Sequence, residues 1–403
     1  MSSSVSAAAA SPDLAHDLAR PTTVTAITAS SWRNQLHQLC PNIYAHRGDP
    51  TLYPENTLAA HRAAALAGAT HLEPDLVLTK DAVLVVHHGF PLNQTTNVAS
   101  LPEFQSRKRD LMLNMPEEYK QGVTMSQDWF VEDFTLEELR QLTVKFPGNS
   151  SLDVANGIPT FEEYLVMVKQ VNEELNRSVG LILDIKHSFH HNQRFPDTPS
   201  GHFFEDEIVE ALKRHGYLDW MTQEQFTPPT SPPDTPNIPS KSPPLIIESF
   251  ERPSLVYIRS LIPFSPSHIH LSLLVGMHWN HLTHADLVST KSAHIERVCI
   301  AKQYLIYPLP DLMKRWGGDW VLGKGMQWMG IIGNGNPKTL VNEVHELGLY
   351  LDAYTFKRAK EDKDDDKWIK ETQWAIGELG LDGVFVEGMQ QGIDARARLE
   401  HGV

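Results

Sequence analysis

The residues of this chain that are best suited to chemistry are histidines and an arginine at the ends of short apolar runs. His46 and Arg47 follow the run NIYA, and His88 follows the run VLVV. Imidazole exchanges protons near neutral pH, and the planar guanidinium group of arginine binds phosphate through paired hydrogen bonds. These residue types can exchange a proton and can contact a phosphate group.

Carboxylates occupy comparable positions on two other runs. Glu73 and Asp75 alternate along one predicted strand, so both lie on one face, with Cα atoms about 7 Å apart. Asp184 and Lys186 share a face of the run LILDIK. A hard divalent cation would offset the repulsion between buried carboxylates. Without a metal, Glu73 and Asp75 would be solvated acids at a strand end, and Asp184 and Lys186 would form an inward salt bridge. The metal site and this metal-free arrangement both stay open.

The elements that must position these residues alternate regularly. Short apolar runs are followed by longer helical patterns, which is typical of a parallel sheet with crossover helices. We count nine candidate strands, one more than an eightfold barrel requires. Only the residues TKDA separate the runs that end at Leu78 and begin at Val83, so these runs are predicted to form an antiparallel hairpin. One leg of this hairpin is an addition to the barrel.

The turn of the hairpin sets which histidine faces the acids. With the turn centred on residues 80–81, His88 is predicted to lie opposite Glu73 and on the same face as Asp75. The same register directs the side chain of His87 away from them.

The remaining segments predict the domain organisation. A mobile N-terminal arm precedes a folded unit over residues 39–400, within which Thr135 is a predicted helix N-cap with Glu138 three residues later. Three segments lie outside the regular alternation. They are the Ser- and Ala-rich arm at 1–38, an inserted subdomain at 93–157 and a proline-rich surface loop at 222–244.

Composition excludes several classes of protein. The 403 residues carry a formal net charge of −15, which argues against nucleic acid as a partner. The two cysteines, Cys40 and Cys299, rule out a disulfide framework. Neither a long apolar run nor a typical secretory signal is present, so we expect no transmembrane segment and a cytoplasmic location. The sequence does not indicate an oligomeric state.

The chain resembles the glycerophosphodiester phosphodiesterase family across roughly residues 42 to 400. The motifs that carry the resemblance are HRG at 46–48, PENT at 54–57, LEPDLVLTKD at 72–81, DIK at 184–186 and LDGVFVEG at 381–388. The segment DFTLEEL at 133–139 is similar to the longer branch that contains bacterial periplasmic enzymes. The resemblance implies a TIM (β/α)8 barrel of the phospholipase-C-like phosphodiesterase type. It also implies hydrolysis of small glycerophosphodiesters to glycerol 3-phosphate and an alcohol.

The resemblance implies a role for individual residues as well. The acid and base pair corresponds to His46 and His88, with no assignment of which is which. The carboxylate ligands of one divalent cation, Ca²⁺ or Mg²⁺, correspond to Glu73, Asp75 and Asp184. The substrate-binding positions correspond to Arg47, Lys186 and Glu55.

Several positions depart from the family pattern. Gly89 stands where an aspartate usually follows the second histidine, Gln94 replaces an arginine, and Asp184 replaces a glutamate. Tyr354 replaces a tryptophan. At the last strand end, the segment VEG places Glu387 where the family has its usual acid. Two alternatives therefore stay open. The first is a lipid phosphodiesterase of the lysophospholipase D or sphingomyelinase D kind, and the second is a phosphoester-binding protein without catalytic activity.

Overall fold

The computed structural model describes residues 41–116, 123–219, 244–262, 269–276, 282–306, 337–358 and 365–401. The predicted arm, 1–38, and residues 222–243 of the predicted proline-rich loop lie outside these ranges. Within them, no helix combines the length and apolar character that crossing a bilayer requires.

Within the described ranges, eight parallel strands form a closed barrel, which confirms the predicted TIM (β/α)8 fold. The segments of the barrel strands are β1 (Asn42–His46), β2 (His71–Glu73), β3 (Asp75–Leu78), β9 (Gly180–Ile185), β10 (Leu245–Ser249), β11 (Ile269–Val275), β12 (Arg297–Ala301), β13 (Tyr350–Phe356) and β14 (Gly383–Val386). The second barrel strand is interrupted at Pro74 and consists of β2 and β3. Strand β10 pairs with β9 and β11, and β14 pairs with β13 and β1, which closes the ring.

Several of the described helices begin at a threonine whose side chain caps the helix. The α-helices are α1 (Leu58–Ala67), α2 (Leu136–Leu139), α3 (Phe161–Leu175), α4 (Ser188–Gln193), α5 (Phe203–Arg214), α6 (Arg252–Leu261), α7 (His284–Ser292), α8 (Gln303–Ile306), α9 (Pro337–Glu346), α10 (Asp365–Trp374) and α11 (Met389–His401). Thr57 accepts from the Ala60 N–H and caps α1, and Thr135 forms the predicted capping box with Glu138 at α2.

The segment between the hairpin and α3 packs around an apolar cluster that includes Leu92, Phe104, Trp129 and Phe134. The described residues of this segment form two small antiparallel pairs and four short 3-10 helices. The additional strands are β4 (Leu84–Val86), β5 (Arg109–Leu113), β6 (Val123–Asp128), β7 (Thr143–Val144) and β8 (Val154–Ala155). The 3-10 helices are Val98–Ser100, Pro102–Arg107, Val131–Asp133 and Ser150–Leu152. We call residues 89–158 the insertion.

The predicted hairpin is present, since β4 is antiparallel to β3, but its predicted register is wrong by one residue. Leu76 pairs with Val86, and the His87 N–H donates to the Asp75 carbonyl oxygen at 3.0 Å. The reason is the turn. The Thr79 N–H donates to the Val83 carbonyl oxygen, so the loop has three residues, and Ala82 adopts a φ of 63°.

The interior of the barrel is filled by side chains from alternate positions of several strands. They are Tyr44, Ile182, Ile246, Leu274, Cys299 and Phe385. Because this interior is packed, functional side chains have access to solvent only at the mouth of the barrel. At the carboxyl ends of β1, β2 and β9, the mouth gathers the residues of the candidate site.

Candidate active site

Three acids that the sequence predicts as metal ligands lie together at the mouth of the barrel. Glu73, Asp75 and Asp184 each offer a carboxylate oxygen, and these oxygens lie within 4.8 Å of one another. Strand pairing sets this arrangement, because Asp75 stands opposite Asp184 in the register of β3 and β9. All three side chains are buried. We call these residues the acidic triad.

The acidic triad fits a divalent cation chemically. Burial raises the pKa of Glu73, and the charges of Asp75 and Asp184 raise it further. Burial also raises the pKa of Asp184. Among the described residues, Asp184 Oδ1 is buried without a hydrogen-bond partner. Hard cations take such carboxylate oxygens as ligands, and a cation would remove the repulsion that burial imposes on the triad.

Lys186 supplies positive charge beside the triad. Its Nζ lies 2.9 Å from Asp75 Oδ1 and also contacts Asp184 Oδ2. Although burial opposes ionisation, Lys186, His88 and Arg47 hold the pKa of Asp75 well below its usual range. The ammonium group therefore contacts two carboxylates of the triad and also lines the open cleft.

Arg47 connects the triad to Glu55. Its NH1 lies 3.1 Å from Glu55 Oε1, and its Nε lies 3.3 Å from Asp75 Oδ2. The backbone N–H of Arg47 donates to Glu73 Oε2 at 2.8 Å. The guanidinium group is thus held at the edge of the triad, facing the open cleft.

Gly48 holds the Arg47 loop against helix α1. Its φ is +87°, and a Cβ at this position would lie 2.5 Å from the Ala60 carbonyl carbon and 2.6 Å from the His61 nitrogen. Gly48→Ala is therefore expected to lower the free energy of unfolding by about 3 kcal/mol and to reduce kcat/KM by displacing Arg47.

Gly201→Ala is the matched control, because Gly201 has a φ of +71° but a Cβ added there would meet no described atom within 4 Å. We expect that variant to lose about 1 kcal/mol and no activity. Urea unfolding and steady-state kinetics measure both quantities. Equal losses in the two variants would contradict the account of Gly48.

His46 ends β1 and lies beside an acid from the last strand. His46 Nδ1 is 3.4 Å from Glu387 Oε1. Burial and the charge of Arg47 lower the pKa of His46, and Glu387 opposes this shift. Burial would raise the pKa of Glu387, but the contacts with His46 and Lys357 hold it at about 2. Glu387 is therefore ionised and orients the imidazole ring.

His88 lies at the site although the hairpin register predicted for it is wrong. In the observed register it does not face Glu73, but it follows the end of β4, where the chain leaves the sheet. Its ring is exposed to the cleft. Desolvation by the walls of the cleft lowers its pKa, and so do Arg47 and Lys186, whereas Asp75 opposes them. The ring of His87 instead contacts Gly89 and Thr95.

A cleft of about 840 Å³ opens at the mouth of the barrel. Four of the predicted site residues line it, namely Arg47, Glu55, His88 and Lys186. Gly89, Gln94 and Tyr354, which depart from the family pattern, line it too. One wall comes from the insertion and the other from the ends of β10 to β13.

Three further residues have contacts or positions at the site that the sequence did not predict. Asn56 belongs to the PENT motif, and its Nδ2 donates to Asp75 Oδ2 at 2.7 Å. Glu248 stands opposite Asp184 in the register of β10 and β9 and is also buried. Glu387 was noted only as a departure. The inward-facing periodicity of LIIES could have indicated Glu248, but no local signal indicates the contact of Asn56.

Glu251 is a buried acid at the edge of the same cleft. Its side chain accepts from the Phe189 N–H at 2.7 Å, and burial raises its pKa to about 7. A carboxyl whose pKa is raised on folding stabilises the fold at low pH and loses that contribution as the pH rises through the folded pKa. Glu251→Gln keeps an acceptor for Phe189 but removes the titration.

We therefore compare the free energies of unfolding of Glu251→Gln and the wild-type protein. As the pH rises from 5 to 8.5, this difference is expected to shift in favour of Glu251→Gln by about 2–3 kcal/mol. Urea unfolding at both pH values measures the gain. The same difference in stability at pH 5 and pH 8.5 would contradict the raised pKa.

Residues 46–198 match the sequence model of the glycerophosphoryl diester phosphodiesterase family. This range begins at His46 and contains all eight predicted site residues. The match covers less than half of the chain and supports membership of this family.

Individual members of the glycerophosphoryl diester phosphodiesterase family are similar over different lengths. The Arabidopsis thaliana glycerophosphodiester phosphodiesterase GDPD6 is 29% identical over 360 residues, which cover 86% of this chain and 83% of that protein. A Caldanaerobacter subterraneus glycerophosphodiester phosphodiesterase is 36% identical over 192 residues, or 46% of this chain and 57% of its own length.

A solved structure is similar in fold. The Oleispira antarctica phosphodiesterase in complex with the product sn-glycerol-3-phosphate superposes with a TM-score of 0.52 at 19% sequence identity. The superposition covers 89% of this chain and 98% of that one. At this level of identity the similarity concerns the fold alone, and it agrees with the closed barrel described above.

Proposed function

We propose that this protein is a metal-dependent phosphodiesterase that hydrolyses glycerophosphodiesters to glycerol 3-phosphate and an alcohol. The observation that carries the proposal is the buried acidic triad, which lies beside His46, Arg47 and Lys186 at the mouth of the barrel. The names of its relatives support the same reaction, since the Arabidopsis and Caldanaerobacter proteins are glycerophosphodiester phosphodiesterases.

The acidic triad is the proposed site for one Ca²⁺ or Mg²⁺ ion. Carboxylate oxygens are the ligands that both cations prefer in proteins. A bound cation supplies Lewis-acid stabilisation of the negative charge that develops on the phosphoryl oxygens. In the protein, Arg47 and Lys186 add to this stabilisation by donating hydrogen bonds to the phosphate.

The two histidines are the proposed acid and base. Burial and neighbouring cations lower both pKa values, so each ring is neutral near pH 7 before the substrate binds. One ring takes a proton from the attacking water as the new P–O bond forms. The other ring, protonated when the anionic substrate is bound, gives its proton to the alcohol oxygen as the old P–O bond breaks. Glu387 keeps the ring of His46 oriented during the transfer.

The experiment that tests the proposal is ³¹P NMR of the products from glycerophosphoglycerol, glycerophosphocholine and lysophosphatidylcholine, with Ca²⁺ or Mg²⁺ present. Formation of glycerol 3-phosphate from the first two would support it. A cyclic phosphate would instead indicate attack by a hydroxyl group of the substrate. Turnover of lysophosphatidylcholine alone would replace the proposal with the lipid phosphodiesterase, and binding without turnover would leave a phosphoester-binding protein.

A further inference from the structure

Lys145 is a cation in the wall of the cleft that the proposed reaction does not use. It follows β7 in the insertion, and its side chain lines the cleft together with Met115 and Met125. Arg47 and Lys186, the other lysine and arginine residues in the lining, contact acids of the site. Among the described residues, no carboxylate lies within ion-pair distance of the Lys145 ammonium group.

Two hydrogen bonds fix the position of Lys145. Its backbone N–H donates to the Thr95 carbonyl oxygen at 2.7 Å, and its Nζ donates to the Asn93 carbonyl oxygen at 2.9 Å. An ammonium group has three donors, so two remain for a ligand. A partly buried ammonium group held in this way is arranged in advance to bind an acceptor in the cleft.

The place of Lys145 in the cleft points to one part of the substrate. The phosphate belongs beside the acidic triad, with Arg47 and Lys186. Lys145 lies on the wall that the insertion contributes, where Gln94 and Thr95 are its polar neighbours in the lining. A group that extends from the phosphate toward this wall meets a positive charge that is partly removed from water, which strengthens electrostatic discrimination.

We propose that Lys145 is a specificity-determining residue for the alcohol part of the substrate, and this rests on the proposed function. Its ammonium group donates hydrogen bonds to the hydroxyl oxygens of an uncharged polyol such as glycerol, and it repels a cationic alcohol such as choline. A hydrogen bond to a charged group commonly contributes enough binding free energy to change the ratio of affinities for two ligands about tenfold.

The test compares kcat/KM for glycerophosphoglycerol and glycerophosphocholine in the wild-type protein, in Lys145→Met and in Lys145→Glu. We expect the wild-type protein to prefer glycerophosphoglycerol, Lys145→Met to lower the ratio about tenfold, and Lys145→Glu to favour glycerophosphocholine. Lys169→Met is the matched control, because Lys169 is exposed on α3, and it should leave the ratio unchanged.

Equilibrium binding of the same two diesters to His46→Ala with Ca²⁺ present measures the ratio without turnover. If the wild-type protein hydrolyses neither diester, the proposed function fails. The two ratios, of kcat/KM and of binding affinity for the two diesters, are each compared with lysine and with methionine at position 145. If either ratio is unchanged by Lys145→Met, the role of Lys145 fails even when both diesters are hydrolysed.

Discussion

Glu73→Gln is expected to lower kcat by at least about a hundredfold and, at the same time, to make the metal-free protein more stable. The activity falls because the acidic triad loses one of its three charges. The stability rises because burial and three neighbouring acids raise the pKa of Glu73, which means that its ionised form costs folding free energy near neutral pH. Glutamine still accepts from the Arg47 N–H, so the loop geometry is kept.

Thermal unfolding with and without Ca²⁺ separates these effects. At a concentration about a hundred times the dissociation constant, a bound cation stabilises the wild-type protein by about 2.7 kcal/mol, and Glu73→Gln should lose most of this gain. Glu248→Gln is the matched control, because Glu248 is equally buried and lies beside Asp184 but outside the triad. A cation that stabilises Glu73→Gln as much as the wild-type protein would contradict the metal site.

His46→Ala and His88→Ala are each expected to lower kcat about 10²- to 10⁴-fold while leaving the stabilisation by the cation in place. The loss is expected because each ring moves a proton in the proposed mechanism, which an alanine side chain cannot do. His284→Ala is the control, since His284 is exposed on α7 and does not line the cleft.

The double variant provides a further check on the histidines. If the two rings act together, the loss in His46→Ala/His88→Ala is smaller than the product of the single losses. Steady-state kinetics with saturating cation measure all four proteins. A kcat near the wild-type value in either single variant would exclude that histidine from the reaction.

The barrel was predictable because its signals are local and repeated. Short apolar runs and helical patterns recur along the chain, and Thr135 caps its helix as its position suggests. The acidic triad was predictable for the same reason, since strand ends of a parallel barrel meet at one mouth. Period two brings Asp184 and Lys186 to the inside of β9.

The hairpin was placed less well because its register depends on the turn. A two-residue and a three-residue loop differ by a single conformational choice, the positive φ of Ala82, which an alanine does not signal in sequence. A shift of one residue reverses the faces of a strand, so the predicted pairing of His88 with Glu73 failed. His88 still lies at the cleft because it follows the strand.

Contacts between distant segments were beyond the sequence. The hydrogen bond from Asn56 to Asp75 and the contact of Glu387 with His46 join elements that only the closed barrel brings together. Lys145 belongs to the same group, because its place in the cleft depends on how the insertion packs. Residues of this kind carry no spacing or periodicity that local reasoning can use.

The measurement that tests the central claim most directly is the release of glycerol 3-phosphate from glycerophosphoglycerol by protein stripped with chelator and then given Ca²⁺ or Mg²⁺. We predict no release from the stripped protein, restored release with one of the two cations, and no restoration in Glu73→Gln. Undiminished release from the stripped protein, or restoration in Glu73→Gln equal to that of the wild-type protein, would contradict a reaction that depends on a cation held by the acidic triad.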